Sequence, residues 1–278
     1  MKVAHMFDLL QDMFSYPFML RALIVGTLVA LCSSLLGVSL VLKRYSMIGD
    51  GLSHVGVGAL AVATALNMAP LAVAIPVVVL SAFLLLRISE NGNIKGDAAI
   101  ALISTGALAI GVTVISMTTG MNTDVYNYLF GSILSMSKTD VALSVALSII
   151  VLVLFILFYN RIFAVTFDES FAKATGTNAS LYNMLIALLT ALIIVLGMRM
   201  MGALLISSLI LFPALTSMRL CKRFKTVVVS SAIISVLCLW AGMTISYAYA
   251  TPTGASIVLC NIAVFLLYWL IRIVKGII

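Results

Sequence analysis

Long, solid apolar runs alternate with short polar stretches along the whole chain. Residues 71–86 (LAVAIPVVVLSAFLLL) and 141–158 (VALSVALSIIVLVLFILF) are two of them. Each approaches the roughly 20 residues that cross hydrocarbon as a helix. Backbone groups inside lipid must be satisfied internally, which leaves helices or a closed barrel. Barrel strands would be about ten residues long and would alternate apolar with polar side chains. The runs here are uninterrupted, so they predict an all-α, polytopic transmembrane bundle forming a single membrane domain over 1–278. Nine spans are predicted, at about 18–42, 49–67, 69–87, 97–118, 139–159, 179–197, 200–219, 226–247 and 254–273. A short turn near Asn67–Pro70 separates the second from the third. Gly197, Arg199 and Gly202 interrupt the run between the sixth and seventh, and merging such a pair would give eight.

Residues 1–17 have no signal-peptide pattern, because Asp8 and Asp12 interrupt them. Met6, Leu9, Leu10, Met13 and Phe14 form a helical stripe, and Pro17 marks a break. A short interfacial helix is expected there. Two connections are too long to be turns. Residues 119–138 carry an apolar middle, YLFGSIL, expected to form a short helix against the membrane. Residues 160–178 contain Asp168, Glu169, a lysine and a helix-stop glycine, Gly176. They read as a short amphipathic cytoplasmic helix that meets another protein, or else as an ordinary solvated loop.

Composition excludes a soluble domain. Of 278 residues, 63% are hydrophobic and 9% charged, against the roughly 25% charged of a water-exposed fold. The net charge of +7 does not call for nucleic acid, because basic residues collect in the cytoplasmic loops of membrane proteins. With the N-terminus outside, twelve lysines and arginines fall on the inner side and four on the outer. With an odd number of spans, that places the C-terminus in the cytoplasm. The four cysteines show no CxxC pairing, and neither disulfide nor metal cluster is expected. No GxxxxGK[ST] phosphate loop exists in the chain, so nucleotide chemistry would belong to a partner.

The strongest chemical signal is IGDGLSHVGVGAL, residues 48–60. Asp50 and His54 are four apart and share one helical face. A carboxylate at a bilayer centre costs roughly 3 kcal/mol on insertion scales, so an ionisable residue in a span is a functional hypothesis. Carboxylate oxygen with imidazole nitrogen suits a first-row divalent ion. Two such helices facing each other in a homodimer would supply four ligands. The structural alternative makes Asp50 a helix N-cap and gives His54 a backbone carbonyl. Glycines 49, 51, 56 and 58 read as helix-packing positions. Gly202, Ser207, Ser208 and Pro213 lie inside one apolar run, where a break or kink could line a pathway. Asp97 reads as a helix cap and Asp124 as a loop charge, and the methionines read as core filler.

Six stretches, in order, resemble the zinc/manganese/iron group of ABC transporter permeases. They are LKRYSMIGDGLSHVGVGALA (42–61), GDAAIALISTGALAIGV (96–112), YLFGSILSMSKTD (128–140), FDESFAKATG (167–176), MGALLISSLILFPALTSMRL (201–220) and TPTGASIVL (251–259). One departure is that Ala214 is followed by Leu-Thr-Ser, where many relatives carry alanines. The resemblance implies a membrane subunit that hydrolyses no ATP and holds no tight cofactor. Its implied partners are a second identical chain, a cytoplasmic ATP-binding subunit, an extracytoplasmic metal-binding protein and lipid, with no nucleic acid. By the same resemblance, Asp50 and His54 contact the metal in transit. Asp168, Glu169, Ala172 and Gly176 fall on the loop that couples to the ATPase. The TPTGASIVLC ending is closer to zinc-type permeases, so zinc is the expected cargo, with manganese or iron the alternative. Another class also fits an ionisable pair in a span: an ion-coupled secondary transporter using Asp50 and His54 as a proton relay. An intramembrane enzyme would need a second catalytic carboxylate or a placed nucleophile, and the spans supply neither.

Overall fold

The computed structural model of the chain describes residues 15–91, 96–118 and 138–275. The expected interfacial helix before Pro17 and the YLFGSIL segment fall almost wholly outside the described residues, as does Asp124. Among the described residues the chain is helical throughout. The helices are α1 (Pro17–Leu42), α2 (Ile48–Ala65), α3 (Pro70–Asn91), α4 (Gly96–Met117), α5 (Lys138–Leu157), α6 (Tyr159–Phe167), α7 (Glu169–Ala174), α8 (Ala179–Met201), α9 (Ala203–Met218), α10 (Phe224–Tyr249) and α11 (Thr253–Val274). Eight of these are long and apolar enough to cross a membrane. The exception among the long apolar elements is α9. Its 16 residues span about 24 Å at 1.5 Å per residue, short of the roughly 30 Å of hydrocarbon. The chain is a multi-pass membrane protein.

The predicted boundary between the sixth and seventh spans moves. Gly197 and Arg199 stay inside α8, and Gly202 alone breaks the run. Gly202 has φ +86°, a conformation that only glycine adopts without penalty. The bend lets Ile206 pack back over Gly197. Pro213, by contrast, lies inside α9 without ending it.

The turns between helices are tightly closed. At the end of α1, Arg44 N–H donates to Val41 O (3.1 Å) and Tyr45 N–H to Leu40 O (2.9 Å). This pair satisfies carbonyls that a helix end otherwise leaves bare. Arg44 takes φ +62°, a left-handed conformation that costs a non-glycine residue roughly 1–2 kcal/mol. Asn67, at φ +54°, closes α2 in the same way, with Met68 N–H on Ala63 O at 2.9 Å. Asparagine tolerates this conformation better than most residues. That closure is the turn expected near Asn67–Pro70.

Helices α1, α2, α8 and α9 form the buried centre, and α3, α4, α5 and α11 present most of their surface outward. Small residues set the closest approaches. Ile210 of α9 covers Gly37 of α1 and Gly49 of α2; a Cβ on Gly37 would lie 2.0 Å from the Ile210 carbonyl oxygen. Gly58 of α2 touches Ala107 and Gly111 of α4 backbone to backbone. Hydroxyls then stitch α10 to α1. Ser235 donates to Ala30 O (3.0 Å) and Ser231 to Ser34 O (3.3 Å). At the bundle end that carries Gly202, Arg199 Nη1 meets Asp140 Oδ1 at 3.1 Å, tying α8 to α5.

Candidate metal pathway and coupling segment

Helix α2 begins directly after the closed turn of 43–47. Its N-cap position is Met47 and no side chain caps it. Asp50 is therefore not the cap that spacing alone allowed. It stands in the first turn, where a carboxylate is favoured by the helix dipole. His54 follows one turn later, and its Nε2 lies 3.5 Å from Asp50 Oδ2. The Asp50 side chain is 50% exposed and that of His54 30%, although α2 as a whole is well buried. His54 Nδ1 is buried and has no hydrogen-bond partner among the described residues. Such an atom is uncommon, because buried polar groups are nearly always paired.

The bend at Gly202 brings α9 across this pair. The Ser207 hydroxyl donates to Ala203 O at 3.1 Å and reaches the Asp50 carboxylate. Of the four residues expected to line a pathway, Ser207 joins the pair. Ser208 is buried, with its hydroxyl unpaired among the described residues. Pro213 is also buried, and Gly202 forms the bend itself. The glycines of α2 pack as the sequence suggested. Gly51 lies on Ile100, and Gly56 on Met198.

Among the described residues, no group of three or more His, Cys, Asp or Glu side chains is close enough to hold an ion. Asp50 and His54 thus offer one carboxylate and one imidazole on an open face. That donor set suits a divalent transition metal, and it leaves most coordination positions to be filled from elsewhere.

The connection between α5 and α8 folds as two short helices. Asp168 ends α6 in an extended conformation and caps α7, accepting from Phe171 N–H at 2.9 Å. Gly176 closes α7 at φ +80°. Its N–H donates to Lys173 O (3.1 Å), and Thr177 N–H donates to Ala172 O (2.9 Å). Ala172 is fully buried in a small core with Val165 and Ala179. Glu169 joins a polar cluster: Lys173 Nζ at 2.8 Å, Asn183 Nδ2 at 3.0 Å and Lys43 Nζ at 3.4 Å. Lys173, with help from Asn183 and Lys43, pulls the Glu169 carboxyl down to about 2 against the opposing effect of burial. All four residues expected to couple to a partner therefore hold α7 in shape and in place. Several residues of the segment are exposed, and the large apolar ones among them are Phe167 and Phe171, each 65% exposed and neither among the four expected to couple. Their four-residue spacing was a visible signal. Lys43 and Asn183 were missed as well, since nothing in their sequence neighbourhood announces a partner in α7.

Residues 15–272 match the family described as the ABC 3 transport family. The manganese transport system membrane protein MntC of Halalkalibacterium halodurans is 29% identical, with 92% of this chain and 88% of that protein aligned. The high-affinity zinc uptake system membrane protein ZnuB of Haemophilus influenzae is also 29% identical, over 91% of this chain and 97% of that one. The solved structure of PsaBC from Streptococcus pneumoniae in complex with Fab superposes with a TM-score of 0.84 at 29% identity, over 96% of this chain and 95% of that chain.

Proposed function

The chain belongs to the ABC 3 transport family, and from that premise we propose that it is the membrane-spanning permease of an ATP-driven importer, carrying zinc. It is a transport subunit and not an enzyme. The observation that carries the reading is the Asp50–His54 pair, a carboxylate and an imidazole 3.5 Å apart and partly open, in a helix long and apolar enough to cross a membrane. An exposed carboxylate facing lipid is costly, so the open face of α2 and α9 calls for a cover. A second identical chain provides one and doubles the ligands to two carboxylates and two imidazoles. Ser207 and Ser208 add oxygen along α9, and the Gly202 bend and Pro213 shape that helix. Binding at such a site is weak enough for release, as conduction requires.

Asp168, Glu169, Ala172 and Gly176 form the coupling segment. In this reading they shape α7 so that Phe167 and Phe171 dock on a cytoplasmic ATP-binding subunit. Two exposed aromatics suit an interface anchor. The surplus of basic residues at the same end supports a cytoplasmic location for it, with the N-terminus outside. An extracytoplasmic binding protein delivers the metal at the opposite end. Manganese is the second reading, favoured by the manganese designation of the H. halodurans relative. Imidazole suits zinc, while manganese prefers oxygen.

The test is total zinc, manganese and iron in a deletion strain carrying this chain, Asp50→Ala or His54→Ala, with each metal scarce. Loss of zinc alone, unrestored by either variant at normal expression, supports the whole reading. Loss of manganese instead keeps the importer and changes its cargo. Full restoration by both variants makes the pair structural.

A further inference from the structure

Lys43 ends α1 at the same face of the bundle as α7, and its side chain is only 9% exposed. Its ammonium sits between Glu169 Oε2 and the Asn183 side-chain oxygen. Asn183, itself buried, also donates to Glu169. The cluster therefore joins three elements that are remote in sequence: the end of α1, the start of α7 and the first turns of α8. A lysine this buried is retained only when paired, and removing one partner leaves an uncompensated charge.

The next residues of the chain lead straight to Asp50. Arg44 and Tyr45 close α1 through two backbone hydrogen bonds, and Ile48 N–H donates to Tyr45 O at 3.1 Å. Gly51 N–H then donates to Met47 O at 2.9 Å. These bonds tie the short stretch between Lys43 and Asp50 to both helices. Gly49, the one glycine before Asp50 in that stretch, packs on Ile210. The stretch is thus a short, bonded route by which a displacement of Lys43 can reach Asp50.

We propose that Lys43 is the positioning residue that carries the movement of α7 to Asp50, through a clamp with Glu169 and Asn183 and the closed turn 43–47. The inference rests on the reading of α7 as the ATPase-facing helix and of Asp50 as a metal contact. It adds the link between them. ATP-driven displacement of α7 drags Lys43 and so shifts the first turn of α2 against Ser207 on α9. Lys43 touches neither nucleotide nor metal.

The experiment uses the complete complex with its ATP-binding subunit in proteoliposomes, measuring zinc uptake and ATP hydrolysis together. Lys43→Met is expected to leave subunit assembly and ATP hydrolysis unchanged and to lower zinc carried per ATP by about tenfold, the size of an ordinary coupling free energy. Lys43→Arg keeps the charge and restores the ratio. A structural role alone would lower both activities together. A second measurement needs no change at the clamp: spin labels at Met47→Cys and Ser170→Cys, both at exposed positions, keep one separation in the nucleotide-free and ATP-bound complex. Full coupling in Lys43→Met, or a separation that changes with nucleotide, overturns the clamp. Asp50→Asn in the same vesicles separates the two levels of the argument. If Asp50→Asn abolishes uptake while Lys43→Met does not, the metal site stands and the clamp falls. A wild-type complex that imports no divalent metal removes both.

Discussion

His54 Nε2 stands 3.5 Å from Asp50 Oδ2, one helical turn along α2, while the other ring nitrogen is buried and unpaired among the described residues. The imidazole keeps Nε2 beside the carboxylate, so a nitrogen and an oxygen stand next to each other on a pair that is partly exposed. Substituting either residue by alanine should reduce metal uptake at least about tenfold, as changes at a metal site commonly do. Folding should persist, because both side chains are partly open. Uptake of radioactive zinc, with detergent-extracted yield as the control, reads both outcomes.

The α2–α4 contact depends on the absence of a side chain at Gly58. An added Cβ would lie 2.4 Å from Ala107 O, a backbone atom that cannot step aside. Gly58→Ala should therefore destabilise the chain by about 1–3 kcal/mol, the usual cost of overpacking. Gly106→Ala, on α4, meets nothing within 4 Å. It should be neutral or stabilising by up to about 1 kcal/mol, since alanine suits a helix better than glycine. Thermal unfolding of the two variants in the same detergent compares them directly.

Arg199 and Asp140 form a second inter-helix tie, at the end of the bundle remote from α7. Both are mostly buried, at 26% and 16% side-chain exposure. Asp140→Ala leaves the guanidinium without this partner and should cost up to about 3 kcal/mol, the lower end for breaking a buried pair. A double-mutant cycle with Arg199→Ala isolates the pairwise part. Additive losses would show that the pair contributes little.

Glu169 contributes a pH dependence of definite sign. Its carboxyl titrates at about 2 in the folded chain, against 4.5 for an unperturbed one. A depressed value means that the folded state favours the charged form. The stabilisation is complete above the unfolded value and is lost as pH falls from about 5 toward 2. The gap in melting temperature between wild type and Glu169→Gln should shrink over that window. A constant gap would assign the residue's effect to shape.

Phe167 and Phe171 should matter to assembly and not to folding. Truncating a buried aromatic anchor costs on the order of 2 kcal/mol, a roughly thirtyfold weaker association. The double alanine variant should extract and melt like wild type yet lose its ATP-binding subunit on co-purification. Retention of that subunit would move the docking surface elsewhere.

Helix type and approximate ends were legible along the chain, because a span in lipid needs both length and apolarity and each leaves a mark in sequence. Of the nine spans read, eight are helices long enough to cross and α9 is shorter. The Asp50–His54 face was legible for the same kind of reason: residues four apart on a helix must be neighbours. The break between α8 and α9 was read too broadly, since Gly197, Arg199 and Gly202 look alike as interruptions. Only Gly202 needs a positive φ. The resemblance assigned Asp168, Glu169, Ala172 and Gly176 an expected coupling role, but it said nothing of their local tasks. Asp168 caps, Ala172 fills a core, Gly176 closes the helix, and Glu169 is clamped.

Periodicity, charge placement and local spacing thus suffice for what lies within a few turns of one helix: a membrane bundle, its spans, and one ionisable pair. What joins distant segments needed the tertiary structure. Lys43 meets Glu169 across 126 positions, and Ser207 reaches Asp50 only because α9 bends back at Gly202. Local hydrogen-bond geometry is written in neighbouring residues. Which helix faces which is settled by close packing of small residues and by the need to pair each buried charge, and both are properties of the whole bundle.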